Sequence, residues 1–226
     1  MIKNSKRSVY ETMSVNLIKS KSCKTVAVNL SKGQKVDLTK SNPGLKKIIV
    51  GLGWDEAARK GLLGKITSTR AIDCDASAIL LDGNGHVIGS KANDCCVYYG
   101  HLSSRDGSIT HMGDNLTGEG DGDDEQIVVD LAKVSAEIMK IVFVVNIYEA
   151  AARHQHFGMI NNSFIRIVNS DNNSELCRYD LTDNNYSGKT AMIFGELYRH
   201  DGEWKFNAIG EATNDNSIGE LIKRYQ

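Results

Sequence analysis

Residues 113–125 read GDNLTGEGDGDDE and place six carboxylates and four glycines within thirteen positions. Two carboxylates about 4 Å apart repel one another by a few kcal/mol at an effective dielectric constant of about 20. Glycine adds to the cost of ordering because it loses more backbone entropy than any other residue. Such a loop holds one conformation only when a cation neutralises it, and the alternative is a solvated acidic surface loop.

The donor atoms of this acidic loop indicate which kind of cation it suits. Its side chains offer oxygen and include no His or Cys, and oxygen ligands favour a hard cation such as calcium. Glycine tolerates positive φ angles, which lets backbone carbonyls turn toward a central ion. The spacing is not that of an EF-hand, because a start at Asp121 puts Gln126 where the motif requires glycine. We therefore expect further ligands from elsewhere in the chain.

Strand-like segments flank the acidic loop at residues 108–112 and 126–131, so a rigid scaffold is expected to hold both of its ends. A third strand is predicted at residues 72–81, with the sequence IDCDASAILL. Alternate side chains of a strand share a face, so Asp73, Asp75 and Ser77 project together while Cys74 faces the core. The two aspartates repel one another unless a positive charge lies over them, and the alternative is a strand end with two solvated carboxylates.

The rest of the chain reads as short strands separated by glycine-rich turns. Residues 141–147 are almost wholly apolar and predict a central, buried strand. Residues 190–199 and 204–209 predict a hairpin across the turn 200–203, and residues 25–38 predict another. Short helices are expected within residues 149–157 and 217–225. About ten strands and few helices indicate an all-β fold, an antiparallel β-sandwich of two sheets, over residues 26–226 after an N-terminal extension of residues 1–25.

The bulk composition excludes several classes of protein. The chain has 226 residues, a net charge of −1 and a sequence pI of 6.6, so it has no global electrostatic footprint for nucleic acid. Its five cysteines are irregularly spaced and odd in number, which argues against a disulfide framework. No stretch approaches the roughly 20 apolar residues of a transmembrane segment, and none resembles a signal peptide. We therefore expect a cytoplasmic protein.

Several motifs occur here in one order: VNLSKG at 28–33, VGLGWD at 50–55, DCDAS at 73–77, the acidic loop, FGELYR at 194–199 and GEWKF at 202–206. Together they closely resemble the TerD family of tellurium-resistance and stress-response proteins, over about residues 26–212. Three features depart from the family pattern. Cys74 stands where the family usually has Leu, residues 59–70 form a longer excursion than in many members, and residues 1–25 have no clear counterpart.

The resemblance implies a β-sandwich that binds calcium between the D-x-D strand and the acidic loop, and the number of carboxylates there fits two calcium ions. The residues that match the family's ligand positions are Asp73, Asp75, Asp114, Asn115, Glu119, Asp121, Asp123, Asp124 and Glu125. It also implies a cytoplasmic stress-response role linked to tellurite, phage or chemical resistance. We expect the protein to act as a calcium-dependent interaction module rather than as an enzyme. The expected partners are other stress or tellurium-resistance proteins, without nucleic acid, and a membrane-associated partner is compatible with this role.

The alternative is a divalent-metal-dependent enzyme acting on phosphate or sugar-nucleotide substrates, since paired metals can be held by carboxylates alone. Against it, the sequence has no phosphate-cradling loop between a strand and a helix. His111, two residues before the acidic loop, is a candidate general base, although a histidine at a strand end more often makes a simple polar contact. Cys74 and Cys177 are expected to be buried, and buried thiols are usually inert, which disfavours redox chemistry.

Overall fold

The computed structural model describes residues 27–56, 71–113, 122–181 and 186–226, and the predicted extension of residues 1–25 lies outside them. The strands are β1 (Val28–Leu30), β2 (Lys35–Asp37), β3 (Lys47–Glu56), β4 (Cys74–Leu81), β5 (Cys96–Val97), β6 (Ile109–His111), β7 (Glu125–Asp130), β8 (Lys140–Ile147), β9 (Ile160–Asn169), β10 (Ser174–Asp180), β11 (Ala191–His200) and β12 (Glu203–Thr213). The helices are α1 (Ala92–Cys95), α2 (Ala150–Arg153) and α3 (Ile218–Lys223), with a single 3₁₀ turn at Phe157–Met159.

The strands form two six-stranded sheets, which confirms the predicted all-β architecture. The first sheet has the order β1-β10-β9-β3-β7-β6, and the second has the order β2-β12-β11-β8-β4-β5. The strand pairs in the described residues are antiparallel except for β1, which runs parallel to β10. Among the described residues, no helix has the length and apolar character needed to cross a membrane.

The main core lies between the two sheets and follows the alternation of each strand. Val50 and Leu52 of β3 and Ile127 of β7 face inward from the first sheet, and Phe143 of β8 and Phe194 of β11 face them from the second. Burying a large apolar side chain stabilises the fold by about 1.5–3 kcal/mol. Residues 141–147, predicted as a central buried strand, lie within β8 between β11 and β4, so that prediction is confirmed.

A second, smaller core covers the outer face of the second sheet. Leu221 and Ile222 of α3 belong to the same buried cluster as Ile79 of β4 and Val144 of β8. The Ser217 hydroxyl caps the helix by accepting a hydrogen bond from the N–H of Glu220. The predicted C-terminal amphipathic helix is therefore present, and it closes one face of the sandwich.

The two predicted hairpins have opposite outcomes. β11 and β12 pair from His200 and Glu203 onward across Asp201-Gly202, both with positive φ, as an Asp-Gly turn allows. The hairpin predicted over residues 25–38 is wrong, because β1 joins the first sheet and β2 joins the second. The turn between them crosses from one sheet to the other, where Gly33 donates its N–H to the carbonyl of Ala208.

Candidate functional site

The beginnings of β4 and β7 and the end of β3 meet at one end of the sandwich. β7 begins at Glu125, which lies opposite Leu52 of β3, so Asp124 and Asp123 continue along the end of that pair. β4 begins at Cys74 in the other sheet and contacts β7 directly. The topology therefore brings the D-x-D strand and the C-terminal end of the acidic loop to the same place.

Asp124 is fixed to the end of β3 by two hydrogen bonds. Its N–H donates to the carbonyl of Leu52 at 2.8 Å, and its Oδ2 accepts the N–H of Trp54 at 2.7 Å. The pKa of the Asp124 carboxyl is raised to about 6, chiefly by burial and in addition by the negative charges of Asp55, Asp123 and Glu125. The N–H of Trp54 acts in the opposite direction but does not compensate for them. This carboxylate thus lies in a region of uncompensated negative charge.

Glu125 and His111 bridge the two sheets at Ala76. The Oε2 atom of Glu125 accepts the N–H of Ala76 at 2.6 Å, while Nε2 of His111 lies 3.2 Å from the Ala76 carbonyl and 3.3 Å from Glu125 Oε2. Nδ1 of His111 accepts the N–H of Gly113, so the ring hydrogen is on Nε2. β5 pairs with β4 only at Ala78 and Ile79. The side chains of Glu125 and His111 provide the polar partners for the backbone of Ala76, at the part of the β4 edge that β5 does not cover.

Asp73 and Asp75 flank Cys74 at the start of β4. Asp75 is buried, and the Asp73 side chain is 16% exposed, with its Oδ2 3.4 Å from Nη1 of Arg153. The Cys74 thiol faces the core, as predicted. Burial raises its pKa well above the usual value, and the charges of nearby carboxylates add to the effect; in order of contribution these are Asp75, Glu125, Asp73 and Asp124. Four of the predicted ligands therefore lie within electrostatic range of one sulfur atom.

Asp123 points instead to the outer face of the first sheet. Its carboxylate accepts two hydrogen bonds from the Arg166 guanidinium, at 2.7 and 3.1 Å, and one from the Gln126 amide at 3.0 Å. It lies directly over Gly51, where a Cβ atom would collide with it. In this arrangement an arginine already neutralises Asp123.

The other four predicted ligands, Asp114, Asn115, Glu119 and Asp121, lie outside the described residues. Within the described part of the chain, no group of three or more His, Cys, Asp or Glu side chains is arranged to hold a metal ion. The donors that are described at this end of the sandwich are carboxylates, which fit a hard cation such as calcium. They supply part of a ligand set rather than a complete one.

Sequence reasoning missed two residues at this end of the sandwich. Asp55 is the second-last residue of β3, is exposed, and adds its charge to the surroundings of Asp124. Its position directly after the VGLGW segment was the available signal. Arg153 reaches Asp73 from 80 positions along the chain, and no local pattern announces that contact. His111, considered as a general base, is fully buried and makes polar contacts to Ala76 and Glu125.

Comparisons with known proteins agree with the fold and with the motifs. The family model for the TerD domain matches residues 26–225. The stress response protein SCP2 of Bacillus subtilis (strain 168) is 49% identical over 203 residues, which cover 88% of this chain and 100% of the relative. The tellurium resistance protein TerD of Serratia marcescens is 50% identical over 186 residues, which cover 82% of this chain and 91% of the relative.

Solved structures share the architecture at lower sequence identity. A crystal structure of a homologue of the telluride resistance protein TerD from Streptomyces coelicolor A3(2) aligns with a TM-score of 0.59 and 20% identity, covering 81% of this chain and 99% of that one. At that identity the likeness bears on the fold alone. The family-model match and relatives at about half identity go further, and the chain belongs to the TerD domain family.

Proposed function

We propose that this protein is a cytoplasmic, calcium-binding stress-response protein of the tellurium-resistance type, which acts as a calcium-dependent interaction module. The observation that carries the proposal is the group of carboxylates around Cys74, together with the raised pKa of Asp124 beside them. Burial raises this pKa most and the negative charges of Asp55, Asp123 and Glu125 add to it, so a positive charge at the site would offset part of the effect. A divalent cation supplies that charge.

Asp73, Asp75 and Asp124 are the described residues assigned to hold the cation, together with Asp114, Asn115, Glu119 and Asp121 of the acidic loop. Glu125 holds the loop's C-terminal end against Ala76, and Asp123 fixes the same end to the outer face of the first sheet through Arg166. A calcium ion supplies positive charge and accepts six to eight oxygen ligands when bound. Its binding orders the acidic loop and completes a surface for a partner to contact.

The relatives' names support the stress-response part of the proposal and its partner class. They are named as stress response and tellurium resistance proteins, and we assign the partners of this chain to the same group of proteins. The proposed activity is binding rather than catalysis. A membrane-associated partner is compatible with it.

Thermal unfolding tests the cation. A ligand at 100 times its dissociation constant stabilises the folded state by about 2.7 kcal/mol, so calcium is expected to raise the melting temperature by about 5–10 °C relative to chelator. The double variant D73N/D75N is expected to lose this rise. The matched control is D171N/D201N, which removes two charges from exposed positions in turns and is expected to keep it.

A rise that is equal in magnesium and calcium contradicts calcium selectivity, and no rise in either contradicts a cation site. A preference for magnesium or manganese, accompanied by turnover of a nucleotide or sugar-nucleotide, favours the enzymatic alternative.

A further inference from the structure

Arg153 places a mostly buried positive charge beside Asp73. Its Nη1 lies 3.4 Å from Oδ2 of Asp73, and its Nε and Nη2 each lie 3.2 Å from Oε2 of Glu149. The guanidinium also stacks over the ring of Tyr148, 4.7 Å from its centroid. The arginine side chain is only 8% exposed, so solvent screens its charge weakly.

The local backbone directs Arg153 toward β4. Arg153 is the last residue of α2, and the residues that flank this helix, Glu149 and His154, both have left-handed φ angles of 52°. Non-glycine residues seldom adopt this conformation, so the turn is specified by its surroundings. The N–H of Tyr148 donates to the carbonyl of Asp73 at 2.7 Å, which joins the segment before α2 to the start of β4.

Asp73 therefore has two candidate counter-ions. One is the guanidinium that contacts it in this structure, and the other is the divalent cation of the proposed function. A cation bound to Asp73 would lie within about 6 Å of the guanidinium, where like charges repel strongly even at high effective dielectric constants. The two positive groups cannot neutralise the same carboxylate independently.

We propose that Arg153 is an internal counter-ion that competes with the divalent cation for Asp73. This inference rests on the proposed function and concerns the regulation of the same site. Without a cation, Arg153 compensates the charge of Asp73. When a cation binds, Asp73 turns to it and Arg153 keeps Glu149 and Tyr148 as partners.

Calorimetric titration of calcium into R153Q tests the competition. This variant removes the charge and keeps a polar side chain, so its dissociation constant for calcium is expected to fall about tenfold at low ionic strength, with a smaller gain at high salt. The matched control is R224Q, which removes the same charge from an ion pair with Glu211 and Asp215. Its dissociation constant is expected to change less than about twofold.

A second variant keeps the test decisive if R153Q does not fold. Lysine carries the charge but cannot engage Asp73 and Glu149 with one planar group, so R153K is expected to bind calcium about threefold more tightly than the wild type. Unchanged or weaker binding by a folded Arg153 variant, in the presence of normal wild-type binding, overturns this inference alone. If the wild type binds no divalent cation, the proposed function fails and this inference fails with it.

Discussion

At the scale of single residues, Asp124 connects local structure to stability. Its folded-state pKa of about 6 is higher than the ordinary value of 3.8, so the folded protein binds this proton more tightly than the unfolded chain does. The free energy of unfolding therefore falls as the pH rises from about 4 to about 6 and then levels off. Ionised Asp124 thus destabilises the cation-free protein at neutral pH.

We predict that D124N stabilises the cation-free protein at pH 7. Asparagine keeps an oxygen for the N–H of Trp54 and removes the charge, and because the site is partly solvated the gain is expected to be on the order of 1 kcal/mol. Urea unfolding in chelator from pH 3.5 to 8 measures it, and the difference from the wild type should vanish below about pH 4. D171N, in an exposed turn, is the control. A gain that persists unchanged at low pH contradicts this origin.

At the scale of elements, one face of β3 is buried in the core, and its other face contacts Asp123 at the C-terminal end of the acidic loop. Val50 and Leu52 fill the core, while Gly51 and Gly53 on the opposite face leave room for neighbouring groups. A Cβ atom at Gly51 would meet the Asp123 carboxylate, and one at Gly53 would meet the ring of Phe164. The two glycines therefore allow the side chains of Asp123 and Phe164 to lie close against the β3 backbone, and they do not mark a turn.

We predict that G51A destabilises the protein by about 1–3 kcal/mol, because the new methyl group displaces Asp123 from the Arg166 guanidinium. Urea unfolding measures the loss. G83A is the matched control, since a Cβ atom there meets only Met139, at 3.7 Å, and a change within about 0.5 kcal/mol is expected.

A double-mutant cycle with D123S identifies the mechanism of that loss. If G51A acts through Asp123, it should cost much less in the D123S background than in the wild type. Equal costs in the two backgrounds would contradict this mechanism.

At the scale of the whole molecule, the His111–Glu125 pair joins the two sheets. Both side chains are fully buried, and both contact the backbone of Ala76 in the opposite sheet. The two residues of a buried polar contact of this kind are strongly coupled. When one of them is removed by mutation, the other loses a hydrogen-bonding partner that water cannot replace. The site end of the sandwich is thus closed by polar groups rather than by core packing alone.

We predict a coupling energy of about 1–2 kcal/mol between Glu125 and His111 in a cycle of E125A, H111A and the double variant. Unfolding is measured in chelator so that cation binding does not contribute. The control cycle uses E211A and R224A, an exposed pair for which less than about 0.5 kcal/mol is expected. Additive effects at Glu125 and His111 would show that the two side chains act separately.

Local patterns predicted what local physics determines. The apolar run of β8 and the Asp-Gly turn between β11 and β12 were readable because burial and turn geometry depend on adjacent residues. The predicted pairing of β1 with β2 was wrong because β1 pairs with β10 and β2 pairs with β12, both distant in the sequence. The contacts of Arg166 with Asp123 and of Arg153 with Asp73 could not be predicted either, because the two residues of each pair are far apart in the sequence. The sequence predicted that the four carboxylates around Cys74 lie close together, but it did not indicate which carboxylates already have a counter-ion.

The position of Cys74 has a consequence for chemical damage. Electrophiles and oxidants react with thiolates, and burial, aided by the charges of the neighbouring carboxylates, raises the pKa of the Cys74 thiol and keeps it protonated. The strand that carries the aspartates can therefore include a cysteine without offering a target for alkylation while the fold remains closed. The negative charge on which the proposed cation site rests thus also helps to keep this sulfur in its unreactive, protonated form.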